Sequence, residues 1–362
     1  MEKRERNYGI ELLRIVSMFL VIITHTLGTG GVLRASSQGS MMYAVGWYLE
    51  MFAYCCVDIF ALISGYVAYS DVRRKTKVSS YIKRWLQVTF YGVVIGIVYW
   101  RIMPEVVTFR DVLSMFFQVR KGLYWYFTAY TGLFFIKPLL DEAVSSMSEI
   151  TARKVFVAVF AVFSCFEIFA SQFDLNGGYS VLWLVLLYTM GSIIKKCDIG
   201  KNIKTVFCIF GIVLMCTFSW AWKMLGGSLQ VAISENMLFS HLSPTLLCAA
   251  IFCLITFSRL RIGNKAARVI GFLASGAFAG YLLNTHVFVR DITLTDSFAF
   301  LANGSVVGMV AFVIGFAALF VLVSILIDKL RQLLFKVCRI DLAADKVGGW
   351  INRLVDKIAS GI

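Results

Sequence analysis

Charge is scarce in this chain. Lysine, arginine, aspartate and glutamate make up 15% of the 362 residues, against 59% apolar residues, which is too few to cover the surface of a soluble domain. Proline is scarcer still, with three in all and no low-complexity stretch, so nothing marks off a separate soluble domain or a linker. Histidine also numbers three, and the nine cysteines fall mostly inside apolar runs without forming a C-x-x-C pair. Neither a structural zinc nor a disulfide framework is expected. A Walker-A sequence, a dinucleotide glycine fingerprint and an H-E-x-x-H motif are all missing, which argues against ATP-driven transport by this chain alone and against a metal centre.

Apolar sequence fills the chain instead. Segments able to cross a hydrocarbon core of about 30 Å start near residues 8, 42, 81, 123, 155, 180, 205, 238, 269 and 301. They predict an all-α polytopic membrane bundle of about ten transmembrane helices over residues 1–329. Apolar and basic residues alternate at helical spacing over residues 330–362, as in an amphipathic tail lying on the lipid of the inner leaflet. The first segment is too long for a signal peptide and has no A-x-A site.

Basic residues fix the orientation. Lys3, Arg4 and Arg6, the stretch Arg73 to Lys77 with Lys83 and Arg84, Lys195 to Lys204, Arg259 to Arg268 and the tail from Lys329 alternate with loops poor in lysine and arginine. Both termini are therefore expected in the cytoplasm. The net charge of +14 lies in short juxtamembrane clusters, where orientation and anionic lipid account for it and nucleic acid is not required.

Ionisable groups at membrane depth point to function. In ELLRIVSMFLVIITHTLG, Arg14 and His25 stand eleven residues apart, which returns to nearly the same helix face three turns or roughly 16 Å on. The inward-running VDIFALISGYV puts Asp58 at mid-membrane and Ser64 and Tyr66 toward the cytoplasm, beside Arg73, Arg74 and Arg84. Trp125, Tyr126 and, a turn deeper, Tyr130 begin the fourth segment at the outer face, where His286 closes the ninth. Such polarity suits chemistry across a bilayer. An anionic donor docks on arginines inside, and an imidazole outside takes the proton of an attacking hydroxyl.

The R-x10-H spacing of Arg14 and His25, the run VDIFALISGYV, the block LYWYFTAYTGLFFIKPLL and the histidine following Y-L-L together resemble the acyltransferase 3 family of integral membrane acyltransferases. The resemblance implies an O-acetyltransferase of the bacterial cytoplasmic membrane, with acetyl-CoA as donor. The acceptor is a hydroxyl of a cell-surface or exopolysaccharide sugar, free or lipid-linked, and polysaccharide biosynthesis proteins are the expected partners. It implies catalytic roles for His25, Arg14 and Asp58. Donor contacts fall to Arg14, Ser64, Tyr66, Arg73, Arg74 and Arg84, and acceptor contacts to Trp125, Tyr126, Tyr130 and His286. One departure concerns the family's R-x-x-R-x-x-P stretch, where YIKRWLQVTFY keeps Arg84 but has Gln87 and no proline.

Plainer roles compete for the same residues. Arg14 has Glu11 at i−3 as an ion-pair partner, Ser64 and Gly65 suit close helix packing, and the outer aromatics suit an interfacial belt. His25 is placed as a solvated helix end, His286 as a polar cap beside Asn284, and His241, in FSHLSP, as surface. The rival function is a secondary transporter or flippase for a sugar-linked substrate, against which no inverted repeat is visible.

Overall fold

The computed structural model describes residues 6–70, 77–229 and 235–361. The main helices are α1 (Tyr8–Leu27), α2 (Met41–Tyr54), α3 (Cys56–Ala68), α4 (Val78–Ile102), α5 (Trp125–Ser146), α6 (Glu149–Phe160), α7 (Val181–Lys196), α8 (Thr205–Leu229), α9 (Pro244–Ser258), α10 (Asn264–Ala274), α11 (Phe278–Asn284), α12 (Val306–Val337) and α13 (Ile340–Ser360). No strand occurs among the described residues. The protein is an all-α polytopic bundle, as its hydropathy predicts.

Six helical stretches among the described residues are long and apolar enough to cross a membrane: Tyr8–Ala35, Met41–Ala68, Val78–Ile102, Thr205–Gly226, Asn264–Asn284 and Val306–Val337. Hydropathy suggests ten. Helices α5, α6, α7 and α9 occupy the other four places, and each is shorter or more polar than a full span. Three of the six stretches are broken, Tyr8–Ala35 among them, between Leu27 and Val32. Met41–Ala68 turns at Cys55 between α2 and α3, and Asn264–Asn284 turns between Ala274 and Phe278. Short helices of this kind expose side chains and carbonyls within the bundle, which is tolerated where protein or a water-filled cavity surrounds them.

Helices α3 and α7 approach closely. A Cβ added at Gly65 would lie 1.8 Å from the carbonyl oxygen of Tyr188, and one at Gly191 would lie 2.1 Å from that of Leu62. Ser192 Oγ donates across the contact to the Gly65 carbonyl at 3.1 Å. Small residues let two backbones meet where a side chain would hold them apart, so Gly65 takes the packing role its composition suggests. Gly9 does the same for α1 against the Phe257 carbonyl of α9.

The basic clusters gather at one end of the bundle. Asn7 Nδ2 donates to the Ser258 carbonyl at 2.7 Å, Arg259 Nη1 donates to Ile203 at 2.6 Å, and Lys83 Nζ meets Asp345 Oδ2 of α13 at 2.7 Å. Residues 330–337 extend α12 rather than beginning a separate element. After Arg339, which takes a left-handed conformation (φ +54°), α13 forms its own amphipathic helix. It leaves Leu342, Val347, Trp350 and Leu354 exposed and seats Gly348 against Ser79 at the start of α4.

Candidate active site

Helix α1 is unbroken from Tyr8 to Leu27, so one rigid element carries both Arg14 and His25. Asn7 caps its start by accepting from the Ile10 N–H at 3.1 Å, which satisfies one of the free donors there. Above, His25 opens into a cavity of about 60 Å³ that also involves Tyr54, Trp125, Tyr126, Tyr179, His241, Phe278 and Tyr281. Trp125 lies edge-on to Tyr179 at 4.6 Å, and Tyr126 N donates to the Tyr281 hydroxyl at 3.2 Å. Aromatic faces with a few polar groups among them are what a ring-shaped polar substrate requires.

Asn284 orients His25. Its Oδ1 hydrogen-bonds His25 Nδ1, and since an amide oxygen only accepts, Nδ1 carries a proton, so that in the neutral ring Nε2 keeps its lone pair. Phe278, Tyr281 and Asn284 follow one another at threefold spacing along α11, so that short helix gives two rings to the cavity wall and its last residue to the histidine. His286, expected beside His25, does not line the cavity. It is fully buried, with Nε2 3.3 Å from the Gly92 carbonyl and Nδ1 accepting from Phe288 N at 3.2 Å.

His241 requires a correction. Placed at the surface from its position beside a polar loop, it is 2% exposed and stacks on Tyr54 with centroids 4.3 Å apart. Gly178, at φ +98°, permits this, because a Cβ there would lie 2.5 Å from that of His241. A loop residue closing onto another helix leaves no periodic trace in sequence, and FSHLSP mixes polar and apolar residues too evenly to mark its histidine as buried.

Asp58 faces the opposite way. Residues 56, 57 and 60 of α3 meet the cavity, whereas Asp58 points at α7, where Oδ1 accepts from Trp183 Nε1 at 3.1 Å and Oδ2 has no partner. Neither Arg14 nor another cation of the described residues pairs with it. Ser64 Oγ donates to the Phe60 carbonyl at 2.9 Å, and Tyr66 lies apart in a groove, 5.1 Å beneath the Lys195 ammonium. Arg73 and Arg74 lie outside the described residues.

At the other end three guanidiniums converge. Arg14 Nη1 pairs with Glu11 Oε1 at 3.0 Å, and Arg6 shares that carboxylate at 3.2 Å. Arg84 is within electrostatic range of Arg14, Arg331, Asp328 and Tyr130, and its guanidinium lies 4.8 Å over the ring of Phe278. Tyr130 thus belongs with Arg84 and not with the cavity above. Residues of α1, α5, α11 and α12 surround Arg84, yet it keeps exposed surface, so these helices leave a recess that is open on one side. Arg84 makes no ion pair among the described residues; its Nη1 donates to the neutral Gln87 Oε1 at 2.6 Å. Phe278 lines the cavity on the His25 side and carries Arg84 on its ring, so a single aromatic group joins the two halves.

The arrangement therefore offers an unpaired cation for an anion, a base-competent imidazole, and an aromatic chamber between them and the outer end of α1. Among the described residues no cluster of histidine, cysteine, aspartate and glutamate could hold a metal ion. No curated protein matches the chain, and no solved structure does. A family model described as an acyltransferase domain, that of the acyltransferase 3 family, matches residues 7–329. Helices α1 to α12 fall within that match up to the last turns of α12, and the chain belongs to the acyltransferase 3 family of membrane acyltransferases.

Proposed function

We propose that the protein moves an acetyl group from acetyl-CoA, bound at the cytoplasmic end of the bundle, to a hydroxyl of a cell-surface or exopolysaccharide sugar in the chamber beside His25. The membrane is the bacterial cytoplasmic membrane, and both termini face the cytoplasm. The observation that carries this reading is the unpaired Arg84 guanidinium in an accessible recess, joined through Phe278 to a histidine whose second nitrogen is free. A cation surrounded by transmembrane helices without a counter-charge is costly, and an anionic ligand removes that cost. Phosphates suit arginine bidentately.

The acceptor hydroxyl sits among Trp125, Tyr126 and Tyr281. As its oxygen attacks the thioester carbonyl, His25 Nε2 takes the hydroxyl proton and Nδ1–H stays on Asn284, the orienting role a third group plays in other base-activated nucleophiles. The tetrahedral intermediate collapses with cleavage of the carbon–sulfur bond, and the departing thiolate receives the proton from the imidazolium. Arg14 and Arg84 hold the donor phosphates. Asp58, bonded to Trp183, acts by fixing α3 against α7.

Two measurements test the reading. Purified protein with acetyl-CoA and a polysaccharide acceptor should release free thiol only when both substrates are present. Mass spectrometry of surface glycans should lose an alkali-labile acetyl increment when the protein is removed. Glycans unchanged in mass, together with thiol release independent of any carbohydrate, would overturn it.

A further inference from the structure

Asp328 of α12 has no exposed surface and accepts five hydrogen bonds. Oδ1 takes Arg331 Nε at 2.7 Å, the Tyr91 hydroxyl at 2.9 Å and Gln87 Nε2 at 3.1 Å; Oδ2 takes Gln332 Nε2 at 2.7 Å and Arg331 Nη2 at 3.1 Å. Gln87 is itself buried, and with its amide nitrogen committed to Asp328 its oxygen is turned to Arg84 at 2.6 Å. A side-chain amide presents donor and acceptor on opposite prongs, so fixing one prong aims the other.

The order of groups matters electrically. A carboxylate placed directly on Arg84 would orient it and also cancel its charge. Here the bidentate Arg331 balances Asp328, and the neutral amide passes orientation to Arg84 without passing charge. We infer that Asp328 and Gln87 are positioning residues, which hold the Arg84 guanidinium ordered, accessible and uncompensated for an anionic phosphate group, while Arg331 supplies the counter-charge that frees Arg84 for that task. This rests on the donor reading above. It also gives Gln87, the departure from the family's arginine-rich stretch, a specific job.

The test uses full-length protein in detergent and coenzyme A as the probe. Gln87→Met removes the amide and leaves the Asp328, Arg331 and Tyr91 bonds in place, so the protein should fold and melt close to wild type. Asp328→Ala, which leaves Gln87 Nε2 without its acceptor, provides the second variant. Each should raise the coenzyme A Kd and the donor KM by ~10-fold, with kcat and the acceptor KM within about twofold of wild type. A merely structural defect would not produce this split. Added to Arg84→Ala, Gln87→Met should cost nothing more, because coupled residues are non-additive. Gln87→Met protein that binds coenzyme A as tightly as wild type, or that loses kcat alone, overturns the positioning role. Wild-type protein that binds no coenzyme A overturns the donor reading and the inference with it.

Discussion

His25 gives one ring nitrogen to Asn284 and keeps the other for the chamber, so its substitutions separate base from orienter. His25→Ala should lower kcat by about 10²–10⁴-fold, the usual share of a general base, and Asn284→Ala by less, ~10-fold, with both proteins present in membranes at normal amounts. Turnover per mole of protein checks the pair; equal losses would mean that Asn284 does more than orient. Asp58 predicts a contrast in stability. Asp58→Asn keeps an oxygen for Trp183 Nε1 and should melt near wild type, whereas Asp58→Ala strands that donor in the core and should cost about 1–3 kcal/mol, read from thermal unfolding in detergent. Of the candidate site, Arg14 and His25 are legible from spacing, because they share a helix and their relation is local. What spacing does not reveal is long-range. Asn284 meets His25 across 259 positions and Gln87 meets Asp328 across 241, so nothing in the run YLLNTH tells its asparagine from its histidine.

Between elements, the α3–α7 contact makes a direct prediction. Gly65→Ala and Gly191→Ala each place a methyl group against backbone that has no rotamer to yield, so each should destabilise by about 1–3 kcal/mol. Yield of folded protein and thermal midpoint measure the effect, and unchanged midpoints would show that the helices separate at no cost. Helix α13 is fastened differently. The hydrogen bond from Lys83, with a smaller contribution from burial against it, holds the Asp345 carboxyl below its ordinary value. A depressed folded value stabilises above the unfolded value near 3.9, and that contribution disappears as pH falls through the folded value. Protection from hydrogen exchange across residues 340–360, relative to the intrinsic rate at each pH, should therefore fall below about pH 4 and with Asp345→Asn, and less so in high salt, where the pair is already screened. Hydropathy finds the elements themselves well, since each long helix buries apolar residues in lipid or protein. It misses the turns at Cys55 and after Ala274, because both sides of each break are equally apolar and only side-chain contacts decide where the backbone bends.

For the molecule as a whole, Asn7, Arg259, Lys83 and α13 gather at one end, which the positive-inside rule assigns to the cytoplasm. Reporters fused at the two termini should show the same, cytoplasmic side, and cysteine introduced at Tyr179, in the wall of the His25 cavity, should react only from the opposite side. A label reaching that position from within would reverse the orientation. The continuous rod of α1 has one more consequence, for the kind of molecule that can be turned over. With no hinge between its arginine and its histidine, α1 works as a fixed gauge, and under the proposed function the donor must be about as long as that gauge for its thioester to reach the imidazole while its phosphates stay below. A clipped thioester such as S-acetyl-N-acetylcysteamine, which has no phosphates, could react beside His25 only as a weak stray, and its slow turnover should be indifferent to Arg84→Ala.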